Sequence, residues 1–256
     1  MISKKQLIEL EVRIDSDLVD QLKKDSMRLC IARSVRSRGP NSQLYPIIWA
    51  ALDNYSSKTT FLWSQDGYEV FISESQVHEG IPLKISSSHE ISMGENLIIQ
   101  EESGKGIITP KTEGSSGNIV IENDTRIAIT TGLSHQIKIN EDNYVVAPIC
   151  AQTIEPQRSM AILPTHKVFV VLASNISPGT AITKFMGQGI LVRIPKSSEF
   201  IDTDSEKITK RVMFTKVKHA DGDLKAPEWR IDQLSEEDLL IPIFEGLNLF
   251  DYLADS

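Results

Sequence analysis

Arg28-Leu29-Cys30-Ile31-Ala32 is echoed later in the chain by Arg126-Ile127-Ala128-Ile129-Thr130. The echo continues outward in the same order. Pro46-Ile47-Ile48 precedes Pro148-Ile149-Cys150, Tyr68-Glu69-Val70-Phe71 precedes Lys167-Val168-Phe169-Val170, and Gly80 precedes Gly179. Met93-Gly94-Glu95-Asn96-Leu97-Ile98-Ile99-Gln100 precedes Met186-Gly187-Gln188-Gly189-Ile190-Leu191-Val192-Arg193. Offsets of 93 to 102 residues with preserved order predict an internal duplication, with a first β repeat over 28–110 and a second over 118–195. Each repeat would be a small sheet with one apolar face, which must be buried on another sheet. Two sheets on one shared core and two small sandwiches side by side both satisfy that need.

The segments that carry the echo are short and rich in Val, Ile, Thr and aromatics. They include Arg28–Val35, Pro46–Leu52, Thr59–Trp63, Tyr68–Ser73, Leu83–Ser86, Asn96–Gln100, Asn118–Glu122, Arg126–Thr131, Gln136–Ile139, Tyr144–Gln152, Lys167–Ala173 and Ile190–Ile194, parted by Gly, Pro, Asn and Ser. That spacing predicts an all-β chain, an antiparallel β-sandwich or barrel. Ahead of it, Ile8, Leu10, Val12 and Ile14 alternate with Glu9, Glu11 and Arg13, the period of a half-buried strand. Asp15 or Ser16 then offers a side-chain oxygen to cap a short helix through Asp17–Leu22, the only helix expected in the first 200 residues. Residues 1–27 thus form an N-terminal strand and helix. Glu101–Gly117, with four glycines, reads as a connecting loop. Residues 196–256 hold one more strand, Arg211–Val217, and an acidic apolar arm starting near Ser235.

The net charge of −8 is unevenly spread: residues 221–256 carry two Lys/Arg against ten Asp/Glu, and the rest is neutral. A neutral body has no basic face for nucleic acid, so none is expected as a partner. No apolar run approaches the length of a membrane-spanning helix, and the N-terminus lacks a signal-peptide pattern, so a soluble cytoplasmic protein is expected. Cys30 and Cys150 sit in apolar segments and read as two buried thiols.

The stretches Thr60-Phe61-Leu62-Trp63, Tyr68-Glu69-Val70-Phe71 and Lys167-Val168-Phe169-Val170 resemble a group of small, soluble, β-rich microbial and fungal proteins. The resemblance extends over most of residues 28–195. It implies a soluble β fold and carries no catalytic residue.

Motifs for chemistry are sparse. His78-Glu79 and His89-Glu90 repeat a pair, but neither they nor His135, His166 and His219 have ligand spacing, so surface-loop histidines and no metal are expected. Asp202-Thr203-Asp204-Ser205-Glu206 and Asp221-Gly222-Asp223 lack the glycine and glutamate of a calcium loop and read as solvated turns. No Gly-x-Ser-x-Gly elbow or phosphate-cradling loop is present, and no cofactor is expected. Two groups remain. Arg33, Arg36 and Arg38 form a basic cluster suited to an anion or to the acidic tail. Trp49, Tyr55, Trp63 and Tyr68 have no counterparts in the second repeat; they either stack on a ligand such as a glycan or fill the core.

The expectation is a non-catalytic binding or assembly protein, whose partner is a small molecule, a glycan or a second copy of itself. A membrane-acting, pore-forming toxin or defence protein is an alternative, with amphipathic strands at Ile81–Ile91 and Ile119–Ile139 and membrane contact in that case only. An enzyme with a pocket inside the β body is another. The tail is too apolar to stay solvated and should pack on the chain's own sheet or on a neighbouring subunit.

Overall fold

A computed structural model describes residues 6–38, 44–73, 75–103, 105–110, 117–184, 187–194, 207–216, 227–231 and 241–243, with backbone alone at 38, 187–188 and 241–243. β1 (Leu7–Ile14) and α1 (Ser16–Lys24) lead into β2 (Arg28–Arg38), β3 (Tyr45–Pro46), β4 (Ile48–Leu52), β5 (Lys58–Ser64), β6 (Tyr68–Ser73) and β7 (Ile85–Ile91). Then follow β8 (Glu95–Ile99), β9 (Gly106–Pro110), β10 (Ile119–Asn123), β11 (Ile129–Ile139), β12 (Tyr144–Ile154) and β13 (Arg158–Ala173). β14 (Gly187–Arg193), β15 (Lys207–Thr215), β16 (Glu228–Ile231) and β17 (Ile241–Ile243) complete the described strands. The protein is mostly β, with α1 the one helix among the described residues, and its sheets form a half-barrel.

One sheet of nine strands runs β16-β15-β1-β5-β11-β12-β3, with β6 and β7 attached through β11. The other, of eight, runs β17-β14-β13-β10-β8-β9, with β2 and β4 attached through β13. The expected purely antiparallel pattern needs correction: β1 pairs parallel with β15, and β8 with β10. Hairpins force antiparallel neighbours, but β15 returns to β1 from nearly 200 residues away and is free of that constraint.

Within this plan one pairing arrangement occurs twice. Sheet one contains β12-β11-β6-β7 and sheet two contains β4-β2-β13-β14, each central strand flanked in the same way. Both hairpins bulge at one place: Trp49 is passed over between Ile48 and Ala50, and Ile149 between Pro148 and Cys150. By this pairing β14 answers to β7, not to Met93–Gln100, whose strand β8 joins β9 and β10 in sheet two. Each sheet therefore holds one hairpin from residues 28–91 and one from 129–193. The halves are interleaved.

That topology leaves one main core between the sheets, not two sandwiches side by side. Leu10, Val12, Phe61, Val70 and Leu133 from sheet one and Leu29, Ile31, Ala50, Val168 and Val170 from sheet two belong to a single apolar cluster. The period-two alternation of β2 and β13 sends Cys30, Ala32, Phe169, Val171 and Ala173 to the opposite face, where Ile176 and Ile182 cover them. On the outer face of sheet one, Phe71 and Ala151 lie under Val77 and Leu83. Gly132 in β11 lets the β12 backbone come close, because a Cβ there would collide with the Cys150 carbonyl.

β1 carries its alternation as expected, with Ile8, Leu10, Val12 and Ile14 buried. On its other face Glu11 is buried as well, under Lys58 Nζ at 2.8 Å, Arg13 Nε at 2.8 Å and Arg211 Nε at 2.5 Å. Burial pushes its carboxyl upward, but hydrogen bonds from Lys58, Arg211 and Arg13 outweigh burial and hold it down at about 2. Asp15 precedes α1 but does not cap it through its side chain. Its Oδ2 accepts from Thr215 Oγ1 at 2.7 Å and Lys216 N at 2.9 Å, pinning the end of β15 instead. β13 begins well before the expected Lys167, since a bulge between Pro164 and Val168 accommodates the proline. β9 lies in the stretch expected to be a loop. Of the acidic arm, Trp229 on β16 packs against Phe214 at 5.1 Å, and β17 pairs with β14; residues 232–240 and 244–256, on which the rest of the expected tail packing falls, lie outside the described residues.

Candidate functional site

Alternation on β11 points Leu133, His135 and Ile137 toward the core, and on β2 it points Leu29, Ile31, Arg33 and Val35 the same way. Two polar side chains thus meet inside. Arg33 Nη1 lies 2.9 Å from His135 Nδ1, and His135 Nε2 lies 3.0 Å from the Asp66 carbonyl. A guanidinium can only donate and a carbonyl can only accept, so Nδ1 carries the lone pair and Nε2 the proton. His135 stacks between Tyr68, with ring centres 4.5 Å apart, and Trp49, at 5.3 Å. Trp49 Nε1 donates to the His135 carbonyl at 3.0 Å, and Trp63 meets Trp49 edge-on at 5.4 Å. Arg33 lies over the Trp49 and Tyr68 faces at 5.7 and 5.5 Å, and its Nη2 donates to Thr165 O at 3.4 Å.

The centre is closed. His135 is fully buried and Arg33 is 6% exposed, and among the described residues no carboxylate pairs with Arg33. Burial first, then the Arg33 charge, push the His135 imidazole down to about 3, so it is neutral at pH 7. Both ring nitrogens are spent on protein partners, which leaves His135 no free lone pair for general-base work.

Trp49, Tyr55, Trp63 and Tyr68 are all buried, so none presents an open stacking face. Trp49, Trp63 and Tyr68 form the wall around His135, and Tyr55 lies apart, donating its hydroxyl to Met27 O at 3.0 Å. Arg33, Arg36 and Arg38 belong to a strand rather than a loop, and Arg33 and Arg36 do not converge. Arg33 faces the core, and Arg36, three residues on, lies on the other face, half-buried; Arg38 ends β2 opposite Ala161. His78 is exposed, His89 and His166 are half-buried, and His219 lies outside the described residues. Among the described residues no group of His, Cys, Asp and Glu can hold a metal. Both calcium-like turns lie outside them. Cys30 and Cys150 are buried free thiols, each raised to about 12 by burial.

An open cavity with polar walls lies against α1. Ser16, Val19, Asp20 and Lys23 form a stripe at helical spacing, the 54–57 loop after β4 faces it, and Asn140 from the β11–β12 turn closes one end. The groove holds about 460 Å³, the scale of a small-ligand site. Tyr55 is its floor: Lys23 Nζ lies 5.6 Å above the ring and 3.5 Å from Asn54 Oδ1. Asn140 Oδ1 accepts from Thr60 N at 2.9 Å, which fixes the amide with its NH₂ outward. Among the described residues the Asp20 carboxylate, the Ser16 and Ser57 hydroxyls and the Asn54 and Asn140 amide nitrogens have no protein partner. Sequence reasoning missed this groove, because its walls come from three segments well apart in the chain, at 16–23, 54–57 and 140.

Among known proteins, no family model, no curated sequence and no solved structure matches the chain.

Proposed function

We propose that the protein is a non-catalytic binding protein that seats a polyhydroxylated ligand, a glycan of one or two sugar units, in the groove between α1 and the 54–57 loop. The observation that carries this reading is the character of the walls. Of the nine lining residues only Val19 is aliphatic; Tyr55 supplies the floor with its hydroxyl already spent on Met27 O, and the rest offer hydroxyl, amide, carboxylate and ammonium groups. Unpaired donors and acceptors of both kinds at spacings set by one helix face suit vicinal hydroxyls, each of which gives one hydrogen bond and takes another. The sealed state of His135 supports a binding role over the enzyme reading.

A glycan array followed by calorimetry tests it. Binding of a mono- or disaccharide that weakens tenfold or more in Asp20→Ala and Asn54→Ala is the expected result. Absence of any glycan or polyol ligand, or affinity unchanged in both variants, overturns it.

The body on which this groove sits is, in this reading, a duplicated unit folded into a sandwich. Support comes from the repeated pairing arrangement, whose positions correspond at offsets of 100 to 102: Val70 with Val170, Trp49 with Ile149, Ile31 with Leu133, a register that differs by one to four residues from the matches of Ile31 with Ile129, Ile47 with Ile149 and Val70 with Phe169 read in the sequence. The turns His78–Ile81 and Ser177–Thr180 close with the same backbone hydrogen bond. A reducing compartment such as the cytoplasm suits the two free thiols.

Self-association is a second reading favoured by one feature. Tyr144, Val145 and Val146 are consecutive, 42 to 55% exposed, and lie on a length of β12 that pairs with β11 alone. Sedimentation of Val145→Lys against the parent chain decides it: an association that the lysine abolishes supports the edge as interface, and a parent chain that is monomeric refutes it.

A further inference from the structure

The Arg33–His135 contact joins more than two side chains. Arg33 belongs to β2 in sheet two and to the first half of the chain; His135 belongs to β11 in sheet one and to the second half. The bond therefore spans the core and ties both sheets and both halves together. It forms only while Nδ1 has a lone pair to accept the Arg33 proton.

We propose that this contact is an acid-operated latch: a neutral His135 holds the interleaved halves closed, and its protonation drives them apart. A proton on Nδ1 would remove the acceptor from Arg33 and set two cations 2.9 Å apart in a closed space. The groups around the imidazole provide nothing to absorb that charge. β2 presents Arg33, β6 presents Tyr68, and β12 presents Ala147 opposite, with the buried Cys150 thiol beyond. β4 and β5 present Trp49 and Trp63, which do not titrate. The turn after β5 offers only the Asp66 carbonyl, with Asp66 itself exposed. Among the described residues no carboxylate is paired with Arg33 to share the load.

The direction with pH follows from which state binds the proton. The unfolded chain protonates this histidine near its ordinary value of 6.5, and the folded chain resists to about 3. The latch is therefore fully closed above pH 6.5 and weakens as pH falls toward 3, by up to roughly tenfold per pH unit in the folded-to-unfolded ratio. Urea unfolding at pH 7, 6 and 5, followed by the fluorescence of Trp49 and Trp63 beside the imidazole, reads it. The midpoint should fall steadily in the parent chain and stay level in His135→Gln, whose amide oxygen still accepts from Arg33 but cannot titrate. A level midpoint in the parent, or an equal fall in His135→Gln, overturns the latch. Should that variant fail to fold, NMR titration of the parent's His135 decides: it should stay neutral at pH 5. Protonation near 6.5 with the native spectrum intact refutes the proposal.

Discussion

Arg33 and His135 occupy corresponding positions in the two pairing arrangements and face one another at 2.9 Å across the core. Arg33 is register partner to Val168 on β13, as His135 is to Tyr68 on β6, two positions beyond the Ile31–Val170 and Leu133–Val70 pairs. They meet where the two similarly paired strand sets face one another across the core. Identical residues there would repel or leave partners unmet; an arginine facing a neutral histidine gives a donor an acceptor. Trp49 and Tyr68 then enclose the pair, so the aromatic cluster of the first half serves the core rather than an open face.

Trp49→Ala should accordingly behave as a core mutation. It opens a void beside His135, removes the indole donor from the His135 carbonyl and strips one aromatic face from Arg33. A loss on the order of 3–5 kcal/mol is expected in chemical denaturation. A variant that keeps its stability and loses only ligand binding would return Trp49 to the role of a stacking platform.

Glu11→Gln should cost stability at neutral pH, because Lys58, Arg13 and Arg211 then lose the charge on which they converge. The folded carboxyl near 2, against an ordinary 4.5, adds stability that is complete above pH 4.5 and is lost as pH falls to 2. Allowing for solvent screening of the half-exposed cations, the contribution is on the order of 2 kcal/mol. Parent and variant should differ in urea midpoint at pH 6 and converge by pH 2. A difference that persists at pH 2 would place the effect in packing instead of charge.

Cutting the chain between Pro110 and Gly117 tests the interleaving. Each fragment lacks four or five of the nine strands of one sheet and four of the eight of the other, so neither 1–110 nor 117–256 should fold alone, and the two together should form a stable complex. Two fragments that fold separately and do not associate would mean that each half closes its own core.

Much of the fold was legible because period and turn chemistry are local. The alternation of Ile8 to Ile14 became β1, Tyr68–Ser73 became β6 with the same ends, and Asp17–Leu22 lies inside α1. What escaped was set by distance. Glycines around Gly106 disguised β9, and nothing near Leu7 announces a parallel partner at Lys207. His135 was expected in a surface loop although it falls between Leu133 and Ile137 on one strand face, a position that alternation alone assigns to the core. Parity likewise separates Arg33 from Arg36. The groove had no local signature at all, since its walls at Ser16–Lys23, Asn54–Ser57 and Asn140 meet only in the folded chain.

Amide and side-chain chemical-shift mapping with the glycan selected by the array tests the binding site most directly. The account predicts that saturating ligand moves resonances of Ser16, Asp20, Lys23, Asn54, Ser57 and Asn140 together, with one affinity, and leaves the Tyr144–Val146 edge unmoved. Shifts centred on that edge, or scattered over both sheets without saturation, would contradict the assignment of the groove as the ligand seat.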